Sequence, residues 1–319
     1  IDILTTGTIT ASIDTDSTVD DLVTLTGTNA YTIVINALDA TGRTASELNT
    51  IDAATSVPVD ASAITDISGD YTDITDLYNS GVSGLGDEAI LITDELTVTQ
   101  ANILDDLTTG VITATIGSTR VSDLLGSASL SDANSNNAYT ISISADDAAV
   151  SASDLNAIND LTSIAVNLAN VNSITASDFT DLTTLNANRD EFSNINGIAA
   201  ITVSDNGGGA ESVDYGTLET IIDNYQTNFN SSAVFSLQSG DTIVIDSASE
   251  LSAFLADLAS GAIVLTDQSV TIDSAAPITV SQANAINSST TGVIEATIGK
   301  TRVSDLLGRA LLNDDNENN

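Results

Sequence analysis

The chain has no cysteine, histidine, methionine or tryptophan, a single lysine, and two prolines in 319 residues. Each absence closes a class of function. Without cysteine there is no disulfide framework, so stability must come from packing or from bound metal. Without histidine the usual general base and the commonest zinc ligand are both missing. Lacking histidine and cysteine, and with one lysine, the chain cannot assemble most nucleophilic or acid–base constellations. Glycoside hydrolysis needs only a carboxylate pair. Nothing among the 45 acids marks one pair out, however, and at 3% aromatics few rings could stack a sugar. The sequence therefore reads as a non-enzyme. No apolar run approaches the ~18 residues that would suggest a membrane span.

Positive charge is equally scarce. Six bases against 45 acids leave a net charge of −39. Such a surface repels phosphate backbones and anionic membrane faces, which excludes nucleic acid as a partner and points to divalent cations instead. The chain is nevertheless expected to fold. Its residues are 42% apolar and 16% charged, and its polar bulk is Thr, Ser and Asn rather than Glu and Lys. That composition lies away from the charge-rich disordered class. The core must be thin and built from aliphatics.

What is present is repetition. Residues 108–126 read TTGVITATIGSTRVSDLLG and residues 290–308 read TTGVIEATIGKTRVSDLLG, identical at 17 of 19 positions. The match extends upstream, Val98-Thr-Gln-Ala-Asn102 against Val280-Ser-Gln-Ala-Asn284. It extends downstream from Leu130 and Leu312 to Asn137 and Asn319. A weaker copy, Thr5-Thr-Gly-Thr-Ile-Thr-Ala-Ser-Ile13, opens the chain. We divide it into a partial super-repeat at 1–107, one complete super-repeat at 108–289, and the start of the next at 290–319. With no initiator Met and a second copy that stops at Asn319, it reads as a slice of a longer repetitive polypeptide.

Two short patterns alternate. Ala30–Asn36, Val111–Ile116, Tyr139–Ser144, Ile164–Leu168 and Val293–Ile298 alternate with period two, as strands do. In 111–116 this puts Ile112, Ala114 and Ile116 on one face and Val111, Thr113 and Thr115 on the other. Short helices with polar starts follow, at Thr44–Ile51, Val98–Leu107, Ser151–Asn159, Thr175–Leu182, Tyr215–Tyr225, Ala248–Leu258 and Val280–Ile286. Thr44 with Glu47 fits a capping box. Thr119–Leu125 and Thr301–Leu307 end at Gly126 and Gly308, where a left-handed cap is expected.

About twelve strand–helix units of roughly 26–27 residues fit the chain, within the range of solenoids. Neither a six-residue strand nor a two-turn helix is stable alone, but stacked units bury a continuous strip. The expected fold is an α/β repeat, a solenoid of short, mostly parallel strands alternating with short helices. The alternative is a string of tandem Ig-like β-sandwiches.

The candidate ligand site is the Asp-x-Asn-x-Asn motif, present as Asp132, Asn134, Asn136 and again as Asp314, Asn316, Asn318. Alternating oxygen-bearing side chains in a tight loop suit a hard cation, which makes Ca2+ the candidate cofactor, although the motif is only half of an EF-hand-like loop. The same residues also make an ordinary Asx-rich solvated turn. Arg120 and Arg302 recur at one repeat position and could clamp an acid on a neighbouring unit through a bidentate fork.

Val150-Ser-Ala-Ser-Asp-Leu-Asn-Ala-Ile158, Ser83-Gly-Leu-Gly-Asp-Glu-Ala89 and the Thr-Thr-Gly-Val-Ile segments at 108 and 290 carry a resemblance. The chain resembles the tandem repeats of very large secreted surface proteins of marine cyanobacteria and related bacteria, including RTX-type adhesins and motility proteins. That resemblance implies type I export, an extracellular or cell-surface location and calcium-dependent folding. The expected role is a structural module of an extracellular filament, sheath or long adhesin, stacking head to tail on copies of itself. A glycan- or ligand-binding adhesin module and a surface-layer lattice protein are the alternatives.

Overall fold

A computed structural model of the chain describes residues 6–132, 137–203 and 210–300. It is an α/β protein in which short strands alternate with helices, and the pairings within its four- and five-stranded sheets are all parallel. Ig-like sandwiches are built from antiparallel sheets, so that alternative does not hold. One α-helix lies in the chain between the partners of each paired set of strands. Val19–Leu22 lies between Thr10–Ser12 and Ala30–Thr32, and Tyr215–Asn228 between Ala200–Val203 and Val234–Leu237.

The chain divides into two compact units. One is formed by described residues of Ile1–Ser142 and Ile158–Val166, the other by those of Ile143–Ala157 and Asn167–Asn319. In the first, strands Arg43–Thr44, Asp66–Gly69, Ala89–Leu96, Ile112–Ile116 and Ala138–Thr140 form one sheet in chain order. In the second, Ala149–Ser151, Ser173–Ala176, Ala200–Val203, Val234–Leu237 and Ile263–Val264 form one sheet. Ser212–Asp214, Thr242–Ile245, Ser269–Ile272 and Ile294–Glu295 form another.

Register follows from which face is buried. Ile67, Ile90 and Ile112 stand in line across the first sheet, and Val150, Ile174, Ile201, Phe235 and Ile263 across the second unit's longer sheet. All eight are buried. Burying each such side chain is worth about 1.5–3 kcal/mol, and a one-residue slip would turn every one of them outward. The alternate positions are a polar row, Ser151, Thr175, Thr202 and Ser236, with Thr202 and Ser236 hydroxyls 3.2 Å apart. In strand Ile112–Ile116 the three expected core residues, Ile112, Ala114 and Ile116, are buried.

Helices start where polar caps permit. The Thr44–Glu47 box is present, with Glu47 N–H donating to Thr44 Oγ1 at 3.2 Å and Thr44 N–H to Glu47 Oε2 at 2.8 Å. Thr97–Gln100 and Thr279–Gln282, at matching positions of the two long copies, make the same reciprocal box. Two expectations are corrected. Thr175 lies in strand Ser173–Ala176, and the helix that follows runs Phe179–Ala187 from an Asp178 cap. Gly126 ends helix Val121–Leu125 with φ −75°, so it is not a left-handed cap. A Cβ there would stand 2.3 Å from Ser122 O, so glycine serves close backbone approach.

Candidate functional site

An open groove of about 620 Å³ lies in the first unit, set where the chain repeats itself most closely. One wall is the end of strand Ala89–Leu96 and the start of helix Val98–Asp105. The other is the end of strand Ile112–Ile116 with Gly117–Asp123, Ser127 and Ala128. Local chemistry places these walls. Pairing between the two strands slips between Leu91 and Glu95, and that bulge sets Glu95, exposed, on the rim. Bulges commonly re-aim a side chain in this way. Gly117 N–H donates to Leu96 O at 3.0 Å, which closes the floor.

The lining is chemically simple. Leu96 and Ile116 are the buried floor, six hydroxyls come from Thr97, Thr99, Ser118, Thr119, Ser122 and Ser127, and two carboxylates from Glu95 and Asp123. The groove therefore offers hydrogen bonds and negative charge, and its fitting guests are cations or donors of N–H and O–H.

Gly299 holds the matching position in the second long copy, where the described residues stop at Lys300. Gly299 N–H donates to Ile278 O at 2.8 Å, as Gly117 does to Leu96 O. A Cβ on Gly117 would lie 3.7 Å from Glu95 Oε2, and one on Gly299 3.7 Å from Pro277 Cβ. Pro277 thus stands where Glu95 does, and Lys300 stands where Ser118 does.

Below this surface runs a joint that holds one strand–helix turn to the next. Thr108 Oγ1 donates to Glu88 O at 2.8 Å, Thr109 N–H to Gly86 O at 2.9 Å, and Gly110 N–H to Thr108 Oγ1 at 2.9 Å. Thr290, Thr291 and Gly292 repeat all three bonds, on Gln268 and Thr266, at 2.6, 2.9 and 3.0 Å. The Thr-Thr-Gly signature is thus a turn-to-turn latch. Glycine is required because a Cβ at 110 would fall 2.2 Å from Glu88 O, and at 292 2.3 Å from Gln268 O.

The two latches differ in the buried side chain beside them, Glu88 in one and Gln268 in the other. Gln268 Nε2 donates to Leu237 O at 3.0 Å and Gln238 O at 2.9 Å. Glu88, buried in the matching place, uses Oε2 to accept from Gly86 N–H at 2.7 Å, and its Oε1 has no partner.

A second joint escaped sequence reasoning. Asn137 Oδ1 accepts from Ile112 N–H at 2.8 Å, and its Nδ2 donates to Tyr139 OH at 3.1 Å and Asp105 Oδ1 at 2.8 Å. Asn29 makes the corresponding bonds to Ile9 N–H at 3.0 Å and Tyr31 OH at 3.1 Å. The signal was the repeated Asn-Ala-Tyr-Thr-Ile at 29 and 137. Likewise Asn49 donates to Asp73 O at 3.0 Å and Asn156 to Asp181 O at 3.1 Å, tying each helix to the next.

Of the expected calcium residues, Asn134, Asn136, Asp314, Asn316 and Asn318 lie outside the described residues, as does Arg302. Asp132 accepts from Asn137 N–H at 3.3 Å, and burial together with the Asp105 and Asp132 carboxylates pushes the Tyr139 phenol up. Among the described residues no group of three or more acids is placed to hold a metal ion, and no helix is long and apolar enough to cross a membrane. Arg120 caps helix Val121–Leu125 with its backbone and makes no side-chain cap bond. A two-acid clamp is made by Arg43, which pairs with Asp39 at 3.0 Å and Asp20 at 3.7 Å.

The second unit holds an acidic cluster on two helices, Tyr215–Asn228 and Ala248–Ser260. Tyr215 OH donates to Asp257 Oδ2 at 2.5 Å. Burial, with the Asp223 charge, holds the Asp257 carboxyl above its usual range despite that bond. Burial, then Asp223, Asp257 and Glu250, do the same to Glu219. Comparison with known families, curated proteins and solved structures yields no match.

Proposed function

We propose that the chain is a solenoid module of an extracellular filament, sheath or long cell-surface adhesin, exported by a type I route and built to repeat a length and a contact. The observation that carries this is the Thr-Thr-Gly latch, made twice with the same three bonds and the same glycine approach. A joint kept this closely at two places serves stacking of turn on turn, since each turn buries its apolar face only against its neighbour. The sequence has neither histidine nor cysteine and a single lysine, which favours a structural role over a catalytic one. Net charge of −39 would keep such a fibre dispersed and leave it open to cross-linking by divalent cations, calcium first. Electron microscopy of the purified chain over a range of concentrations tests the reading. Rods of constant width that lengthen with concentration support it. Round particles of one size at every concentration contradict it.

A further inference from the structure

We propose that the groove of the first unit is a socket for Lys300 of a second copy of this chain, so that copies join head to tail. This rests on the filament reading and supplies its contact. The groove presents Glu95 and Asp123 above a hydroxyl lining, in a form that suits an ammonium with three donors. Lys300 is the only lysine in the chain, is exposed, and stands in the repeat position of groove residue Ser118. Pro277 beside Gly299 removes the carboxylate that Glu95 supplies beside Gly117 in the first copy. Near-identical sequence thus differs in charge at two matched positions, Pro277 for Glu95 and Lys300 for Ser118.

The charge pattern decides the kind of assembly. Two copies carrying −39 each repel, so attraction must be local and complementary. A socket in one place and a plug in another make a heterologous contact. Such a contact closes into a ring only at special angles and otherwise runs on as an open filament. The second copy of the repeat is in this sense the plug, and the first its receptor.

Charge reversal tests it, read by sedimentation velocity of the whole chain at several concentrations. The wild type is expected to form growing polymers. Lys300→Glu and Glu95→Lys should each raise the concentration at which polymers appear by about tenfold or more, the effect of about 1.4 kcal/mol. Mixing the two single variants, or combining both reversals in one chain, should bring polymers back. Rescue of this kind also excludes misfolding of either variant. Unchanged polymers in both single variants would overturn the socket and leave the filament reading intact. A wild type that stays monomeric at every concentration would overturn both.

Discussion

Replacing Gly110 by alanine separates close backbone approach from every other role glycine can have. The added Cβ would stand 2.2 Å from Glu88 O, 2.5 Å from its carbonyl carbon and 2.9 Å from Ala89 N. All three are backbone atoms at the start of a paired strand and cannot swing aside, so the 108–110 loop must retreat. Retreat breaks the Thr108 Oγ1–Glu88 O and Thr109 N–Gly86 O bonds. Each is worth about 1 kcal/mol net. Residual overpacking adds about 1–3 kcal/mol. The expected loss is roughly 3–5 kcal/mol, a large part of the roughly 5–15 kcal/mol that holds a typical domain. Gly42→Ala is the control. It has φ +68° and nothing within 4 Å of an added Cβ, so its cost is left-handed strain alone, about 1–2 kcal/mol. Urea midpoints followed by circular dichroism compare the two. If Gly110→Ala cost no more than Gly42→Ala, the close-approach argument would fail.

Glu88→Gln supplies the N–H that Gln268 has and Glu88 Oε1 lacks, so it is expected to raise the urea midpoint by about 1–2 kcal/mol equivalent; a lowered midpoint refutes the correspondence between the two latches. Asn49→Ala strips a bond from Asp73 O and is expected to lose about 1 kcal/mol, whereas no loss would show that the helix-to-helix tie is idle. Asp257 and Glu219 titrate above their unfolded values, so the folded state binds more protons than the unfolded one. Their stabilising contribution is complete below about pH 4 and is lost as pH rises through the raised folded values. The melting temperature should therefore be higher at pH 5 than at pH 7, with the difference reduced in Asp257→Asn. A wild type that melts lower at pH 5 refutes the sign.

The legible parts of the fold were those written in local pattern. Strand Ile112–Ile116 alternates cleanly because one face is core and the other is wet, and the Thr44–Glu47 box announces its helix. Thr175–Leu182 misled because Ser173–Ala176 completes a ladder with Ala149–Ser151 and Ala200–Val203, a tertiary pairing that its helix-like spacing hides. Gly126 misled because glycine answers to close approach as well as to positive φ. At the candidate site the repetition was plain, but its meaning was not. The groove is assembled from small hydroxyls spread over residues 97–127, none of which is distinctive alone. Its asymmetry was written in two departures, Pro277 for Glu95 and Lys300 for Ser118. The Leu-Asn pairs at 48–49 and 155–156 equally carried the inter-helix tie, visible once Asp73 O and Asp181 O are placed beside them.

The proposal on which the account rests is a solenoid whose turns stack in a single direction. Small-angle X-ray scattering of this chain, beside one lengthened by a further copy of the super-repeat at 108–289, tests it most directly. Turn-on-turn stacking predicts an unchanged cross-sectional radius and a maximum dimension that grows in proportion to the added turns. A radius that grows while the maximum dimension barely changes, as in a single compact ball, would contradict it.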